Sequence, residues 1–299
     1  MYFGGPARSV RTSATVFELM RTDTMSGRHT GQQHAHTVEG TDPQLFVAVH
    51  DPADDAGLRP VLLLHGFSSS GKLNWEDTGW VGALLEAGRR VITVDLPGHG
   101  RSGAPEDRDS YSPSRIRADL LQTAFDAGVR PLQEGDPSSG LDVVGYSLGS
   151  RLAWEFASTQ PEIVHRLVLG GPNISDPLAE FDLTAAQDYL ADGTPIADGS
   201  TAQLLKMALL LPTNNIFALL TLVEAIKAEP YDPAEAVPHV PMLLVAGDQD
   251  ERIGSLPKLA ELANSTGGMA EQLVLPGRNH TNAVTSRAFK QAAIAFLAV

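Results

Sequence analysis

Cysteine is absent from the 299 residues. This excludes disulfides, thiolate catalysis and any zinc site built on Cys. It fits a reducing compartment, and a cytoplasmic location is expected. No run of 18 apolar residues occurs either, so no membrane span is expected. Basic residues are scarce: 22 Lys+Arg against 36 Asp+Glu leave a net charge of −14. Such a surface is poorly suited to phosphate contacts, and no nucleic-acid partner is expected. A G-x-x-x-x-G-K-[ST] phosphate loop is missing too, because Leu73 follows Gly71-Lys72.

What is present is a globular composition, 42% hydrophobic and 19% charged, long enough for one large domain. The first 37 residues differ from the rest. They hold four Arg, two acidic residues and three His among many Ser, Thr and Gly. Their one compact apolar run, Ala14 to Met20, is interrupted by Glu18, so a secretory signal is not expected. The stretch is expected to be a disordered extension. His29, His34 and His36 are read as solvated, and no metal or cofactor is expected.

Beyond residue 38, short apolar runs alternate with helical patterns. Leu45–Val49, Val61–Leu64, Val91–Val94, Leu141–Val144, Leu167–Leu169, Met242–Ala246 and Gln272–Leu275 have strand length. Most are continuous rather than alternating, as suits strands covered on both faces. Helices are predicted over Trp80–Gly88, Ser114–Gly128, Leu148–Thr159, Ser255–Ser265 and Thr281–Val299. This alternation predicts an α/β fold, a mostly parallel doubly wound sheet. Residues 173–238 break it with helical stretches only and are read as a helical insertion. Residues 38–172 and 239–299 then form the core.

Gly145-Tyr146-Ser147-Leu148-Gly149 is a G-x-S-x-G directly between an apolar strand and a helix. A sharp strand-to-helix turn exposes the Ser hydroxyl, with the helix amino end behind it. Serine is a weak nucleophile and needs a base and an orienting acid. His280 follows the last strand, in Asn279-His280-Thr281. Asp248 and Asp250 follow an earlier strand, in Gly247-Asp-Gln-Asp250, and either can be the acid. An oxyanion site needs two backbone N–H groups, and those of Leu148 and Phe67 are the candidates. Phe67 lies in Leu64-His-Gly-Phe67.

Together these residues resemble the α/β-hydrolase superfamily. The resemblance runs from Leu45 to Val299 and is carried by His65-Gly66-Phe67, Asp95-Leu-Pro-Gly-His-Gly-Arg-Ser102, Gly145–Gly149, Gly247–Asp250 and Asn279-His280. It implies Ser147 as nucleophile, His280 as base and, by its place after the strand-ending Gly, Asp250 as acid. It makes His99 structural and residues 173–238 a helical cap. Ser147 departs from the Asp nucleophile of epoxide hydrolases and haloalkane dehalogenases. The resemblance therefore implies a serine hydrolase acting on a small carboxylic ester or lactone through an acyl-enzyme. Carbon–carbon bond hydrolysis of ring-fission diketones is the alternative, with Arg151 and Asn173 as candidate carboxylate holders. A non-catalytic ligand receptor is the third reading. In the insertion, Pro212 separates two apolar helical stretches. Met207, Phe217 and a stripe through Ile216, Leu219, Leu220, Val223 and Ile226 are candidates for an apolar roof over the site, the alternative being that the stripe is core packed on the hydrolase body and the other cap helices. With Tyr146 beside the nucleophile, Met207 and Phe217 are the expected pocket residues.

Overall fold

The computed structural model describes residues 32–37, 41 and 43–298. Thus His29 and most of the N-terminal extension lie outside the described residues. One sheet of eight strands forms the centre, in the order β1-β2-β4-β3-β5-β6-β7-β8. The strands are β1 (Gln33–Thr37), β2 (Phe46–His50), β3 (Val61–Leu64), β4 (Val91–Val94), β5 (Leu141–Tyr146), β6 (Val164–Gly170), β7 (Pro241–Gly247) and β8 (Met269–Leu275). β2 runs antiparallel to both β1 and β4, and every other pairing is parallel.

Successive strand residues face opposite sides of a sheet, which splits the apolar runs between two cores. Leu62, Leu64, Val143, Met242 and Leu244 pack on one side. Val61, Leu63, Val144, Leu243 and Val245 pack on the other. The first side is covered by α2 (Pro113–Asp126), α3 (Leu148–Thr159) and α7 (Ser255–Ser265). The second is covered by α1 (Trp80–Glu86) and α8 (Arg287–Leu297). There Trp80 stands edge-to-face on Trp75 and on Phe289, at 5.5 and 4.8 Å between ring centroids.

Between β6 and β7 lie α4 (Leu183–Asp192), α5 (Gly199–Leu209) and α6 (Ile216–Ala228). Each starts at an acid or amide N-cap. Asp182, Asp198 and Asn215 accept from the amides of Ala185, Thr201 and Ala218, as such caps do.

Three sequence expectations are corrected. The N-terminal extension does not run to residue 37: Gln33–Thr37 pairs antiparallel with β2. Its five residues are all exposed, so no apolar alternation marks this edge strand. Thr281–Val299 is not one helix. A 3-10 turn at Ala283–Thr285 comes first, and extended Ser286 then caps α8 by accepting from the Phe289 amide. The apolar stripe of α6 does not roof the site: Leu220, Val223 and Ile226 are buried in the first core, and Leu219 is fully buried as well.

Candidate active site

β3 and β5 are neighbours, with Leu64 in register with Gly145. The chain leaves β3 and β5 at the same edge, outside the carboxyl ends of the strands, where doubly wound sheets place ligands. Ser147 occupies the turn from β5 into α3 at φ 55°, ψ −114°. For a residue with a Cβ this is a strained conformation, and the turn is held by its surroundings. The Ser147 amide donates to the Gly170 carbonyl at 2.9 Å. Ser150 Oγ donates to the carbonyls of Gly145 and Gly170, each at 2.9 Å. The flanking glycines are required by space. A Cβ on Gly149 would lie 2.0 Å from the Leu64 carbonyl oxygen, and one on Gly145 would lie 2.3 Å from that of Gly149.

His280 Nε2 lies 3.0 Å from Ser147 Oγ, and its Nδ1 lies 2.8 Å from Asp250 Oδ2. Asp250 is 4% exposed. Burial would raise its carboxyl, but the hydrogen bond and charge of His280, with the Arg252 amide and charge, hold it below its usual range. An ionised carboxylate only accepts, so Nδ1 carries the proton and Nε2 is left as acceptor toward Ser147. Asp248 does not reach the histidine. It accepts from the Gly277 amide at 2.8 Å, in the turn after β8.

Phe67 and Leu148 line the same cavity as Ser147, and among the described residues neither amide has an acceptor within the chain. The loop bearing Phe67 is fixed by Asp95, His65 and His99 of the sequence motifs and by Asn74, which no motif marked. A π-helical turn, Lys72–Glu76, presents Asn74, whose Oδ1 accepts from the Gly66 amide at 3.1 Å. Asp95 accepts from the Gly71 and Arg101 amides at 2.7 and 2.9 Å. His65 Nε2 accepts from the Leu96 amide at 2.9 Å, and His99 Nε2 from the Ser68 amide at 3.1 Å. Both imidazoles are fully buried, which lowers them to about 4 and about 3, with the neighbouring ring adding to the drop at His99. Both are thus neutral.

A cavity of about 600 Å³ opens onto Ser147. Its apolar wall includes Phe67, Leu148, Leu178, Leu204 and Met207. Its polar wall includes Arg151, Asn173, Asp176, Glu251 and Arg252. Arg151 is buried, paired with Asp176 and Glu155, and donates from Nη2 to the Glu229 carbonyl at 2.7 Å. Asn173 Oδ1 accepts from Ser255 Oγ at 2.6 Å. Tyr231 joins this wall, its ring 5.3 Å from the Arg151 guanidinium.

Of the expected pocket residues, Met207 lines the cavity and two others do not. Tyr146 ends β5 on the opposite face of the sheet and packs in the second core. Its hydroxyl donates to the His280 carbonyl at 2.5 Å, so it buttresses the histidine loop from behind. Phe217 is 72% exposed, because it lies off the buried stripe of α6. Instead of α6, it is α5 that faces the site, through Gln203, Leu204 and Met207.

The alpha/beta hydrolase fold family matches residues 59–252, from β3 to Arg252 just beyond Asp250. The chain belongs to that family. Within it, 122 residues are 34% identical to a Bacillus subtilis protein provisionally named 2-succinyl-6-hydroxy-2,4-cyclohexadiene-1-carboxylate synthase, over 41% of this chain and 39% of that one. Over 182 residues the chain is also 32% identical to a 2-hydroxy-6-oxononadienedioate/2-hydroxy-6-oxononatrienedioate hydrolase of Paraburkholderia phymatum, covering 58% of each protein. The chain spans less than two thirds of the length of both relatives. Among solved structures, a carboxylesterase study of Nitrososphaera gargenis provides a fold similar at TM-score 0.66, with 16% identity over 89% of this chain and 98% of that one. At such identity the likeness concerns the fold alone. No helix among the described residues is long and apolar enough to cross a membrane.

Proposed function

We propose that this alpha/beta hydrolase is a serine hydrolase of small carboxylic esters or lactones. The relay Ser147–His280–Asp250, with hydrogen bonds of 3.0 and 2.8 Å, carries this reading. Ser147 Oγ attacks the acyl carbon and His280 Nε2 takes its proton. Asp250 stabilises the resulting imidazolium and keeps the ring oriented. The Phe67 and Leu148 amides receive the tetrahedral oxyanion. His280 returns the proton to the leaving alkoxide, then activates the water that releases the acid. Residues 173–238 act as a cap, with α5 contributing the acyl wall.

Carbon–carbon bond cleavage of a carboxylate-bearing diketone is the second reading. The arginines on the polar wall of the cavity favour it, as does the name of the Paraburkholderia phymatum relative, a hydrolase of an oxo-dienedioate. Of the two cations, Arg151 is already compensated by Asp176, whereas Arg252 has no ion-pair partner among the described residues. A panel of p-nitrophenyl esters, lactones and one ring-fission diketone, assayed with wild type and Ser147→Ala, separates the readings. Ser147-dependent ester turnover supports the first. Turnover of the diketone alone favours the second, and no turnover of any substrate removes both.

A further inference from the structure

Besides the bond of His65 Nδ1 to the Gly66 carbonyl, four hydrogen bonds hold the loop that bears the Phe67 amide. The Gly66 amide donates to Asn74 Oδ1, and the Ser69 amide to the Gly66 carbonyl at 3.2 Å. The Ser68 amide donates to His99 Nε2. The fourth tie comes from the helical segment instead: Asn214 Nδ2 donates to the Ser68 carbonyl at 3.0 Å, across 146 residues of sequence. Ser68 needs such ties, because its φ of 58° is unfavourable for a side chain other than glycine.

Asn214 lies in the turn between α5 and α6, next to Asn215. The two asparagines have different duties. Asn215 Oδ1 caps α6 by accepting from the Ala218 amide at 3.2 Å. Asn214 makes no such local bond, and its Oδ1 is buried with no partner among the described residues. A buried orphan acceptor is unfavourable, so the turn does not explain this side chain. Its one visible duty is the bond to Ser68.

We propose that Asn214 is a positioning residue. It couples the docking of the α5–α6 turn to the orientation of the Phe67 amide, so that the oxyanion site is complete only when the helical segment is in place over it. This rests on the reading of Ser147 as nucleophile and of Phe67 as an oxyanion donor. Deleting an oxyanion donor outright costs about 10²–10³ in kcat. Loosening the loop that holds one costs less, about tenfold.

The test compares wild type, Asn214→Ala and Asn214→Asp on p-nitrophenyl butyrate, with an alkyl trifluoromethyl ketone as inhibitor. With that ketone, a bond forms between Ser147 Oγ and the carbonyl carbon, the serine proton passes to His280, and the C=O electron pair becomes an oxyanion. The inhibitor thus reports on the oxyanion site. The Asp variant keeps the size of the side chain but loses the donor. Expected are a fall in kcat of about tenfold in both variants, an equal rise in the inhibitor constant, and KM and thermal midpoint close to wild type. Unchanged kcat and inhibitor constant would overturn the proposal. So would a loss in Asn214→Ala that tracks a lower thermal midpoint and is restored in Asn214→Asp, since that is the signature of packing. Absence of Ser147-dependent turnover in the wild type would instead overturn the underlying reading, before any Asn214 variant is measured.

Discussion

The rings of His65 and His99 meet edge to face, 5.0 Å between centroids, next to the loop that carries Phe67. Each presents Nε2 to a backbone amide and Nδ1 to a backbone carbonyl, Gly66 for His65 and Pro97 for His99. Each must therefore stay neutral, with its proton on Nδ1. The pair is structural, but it sets where the Phe67 amide, one of the two proposed oxyanion donors, lies.

That pairing gives the fold an acid limit. Both histidines are lowered in the folded state, to about 4 and about 3, from 6.5. Below about pH 6.5 the unfolded chain binds protons that the folded chain refuses. Their contribution is complete above about pH 6.5 and declines as the pH falls toward 4 and 3. The slope reaches about 1.4 kcal/mol per pH unit for each histidine within that window. Urea midpoints at pH 7, 6 and 5 should fall steadily, and less steeply in His99→Gln. Midpoints independent of pH across this range would contradict the assignment.

Asp250 and Asp248 provide a second contrast. Asp250→Asn removes the acceptor that fixes the His280 tautomer and should lower kcat by up to about 10⁴. Asp248→Asn alters only a turn and should change kcat by less than about threefold. Steady-state kinetics on one ester decide it, and a larger loss at Asp248 would reverse the roles.

The Arg151–Asp176 pair holds one wall of the cavity. Removing Arg151 leaves the buried Asp176 carboxylate without its cation, at a cost of about 3–5 kcal/mol, whereas removing Asp176 leaves Arg151 its Glu155 partner. Arg151→Met should destabilise strongly and Asp176→Asn less, and the double variant should be more stable than their sum implies. Additive losses in urea unfolding would show that the pair is not coupled.

Acyl preference should follow α5 rather than α6. Met207 and Leu204 face the cavity, and burying a methylene is worth about 0.8 kcal/mol, near fourfold in kcat/KM. From acetate to butyrate esters kcat/KM should rise. Met207→Ala should weaken the trend, whereas Phe217→Ala should leave it unchanged. A decline from the shortest acyl chain onward would remove the apolar acyl wall.

Much of this was legible in the sequence, for identifiable reasons. Val61–Leu64 and Val91–Val94 are unbroken apolar runs because both faces of these strands are covered. Ser147 was legible because the strand–turn–helix demands glycine on either side of it. The edge strands were harder to read. Gln33–Thr37 lies wholly exposed, and Met269–Glu271, the first half of β8, carries little apolar signal. The apolar face of α6 was evident, but not what it would touch, since periodicity reports burial and not the partner. Tyr146 was misplaced because adjacent strand residues face opposite sides, and proximity in sequence to Ser147 says nothing of the cavity. Asn74 and Asn214 had no local signal, since each acts on a backbone group far along the chain.

The central claim is that Ser147 is the nucleophile, activated by His280. Labelling with an alkyl fluorophosphonate, followed by peptide mass spectrometry, tests it most directly. One adduct per chain is expected, on the peptide bearing Ser147, absent in Ser147→Ala and at least about 10²-fold slower to form in His280→Ala. An unlabelled wild-type protein, or an adduct that persists in Ser147→Ala, would contradict the account.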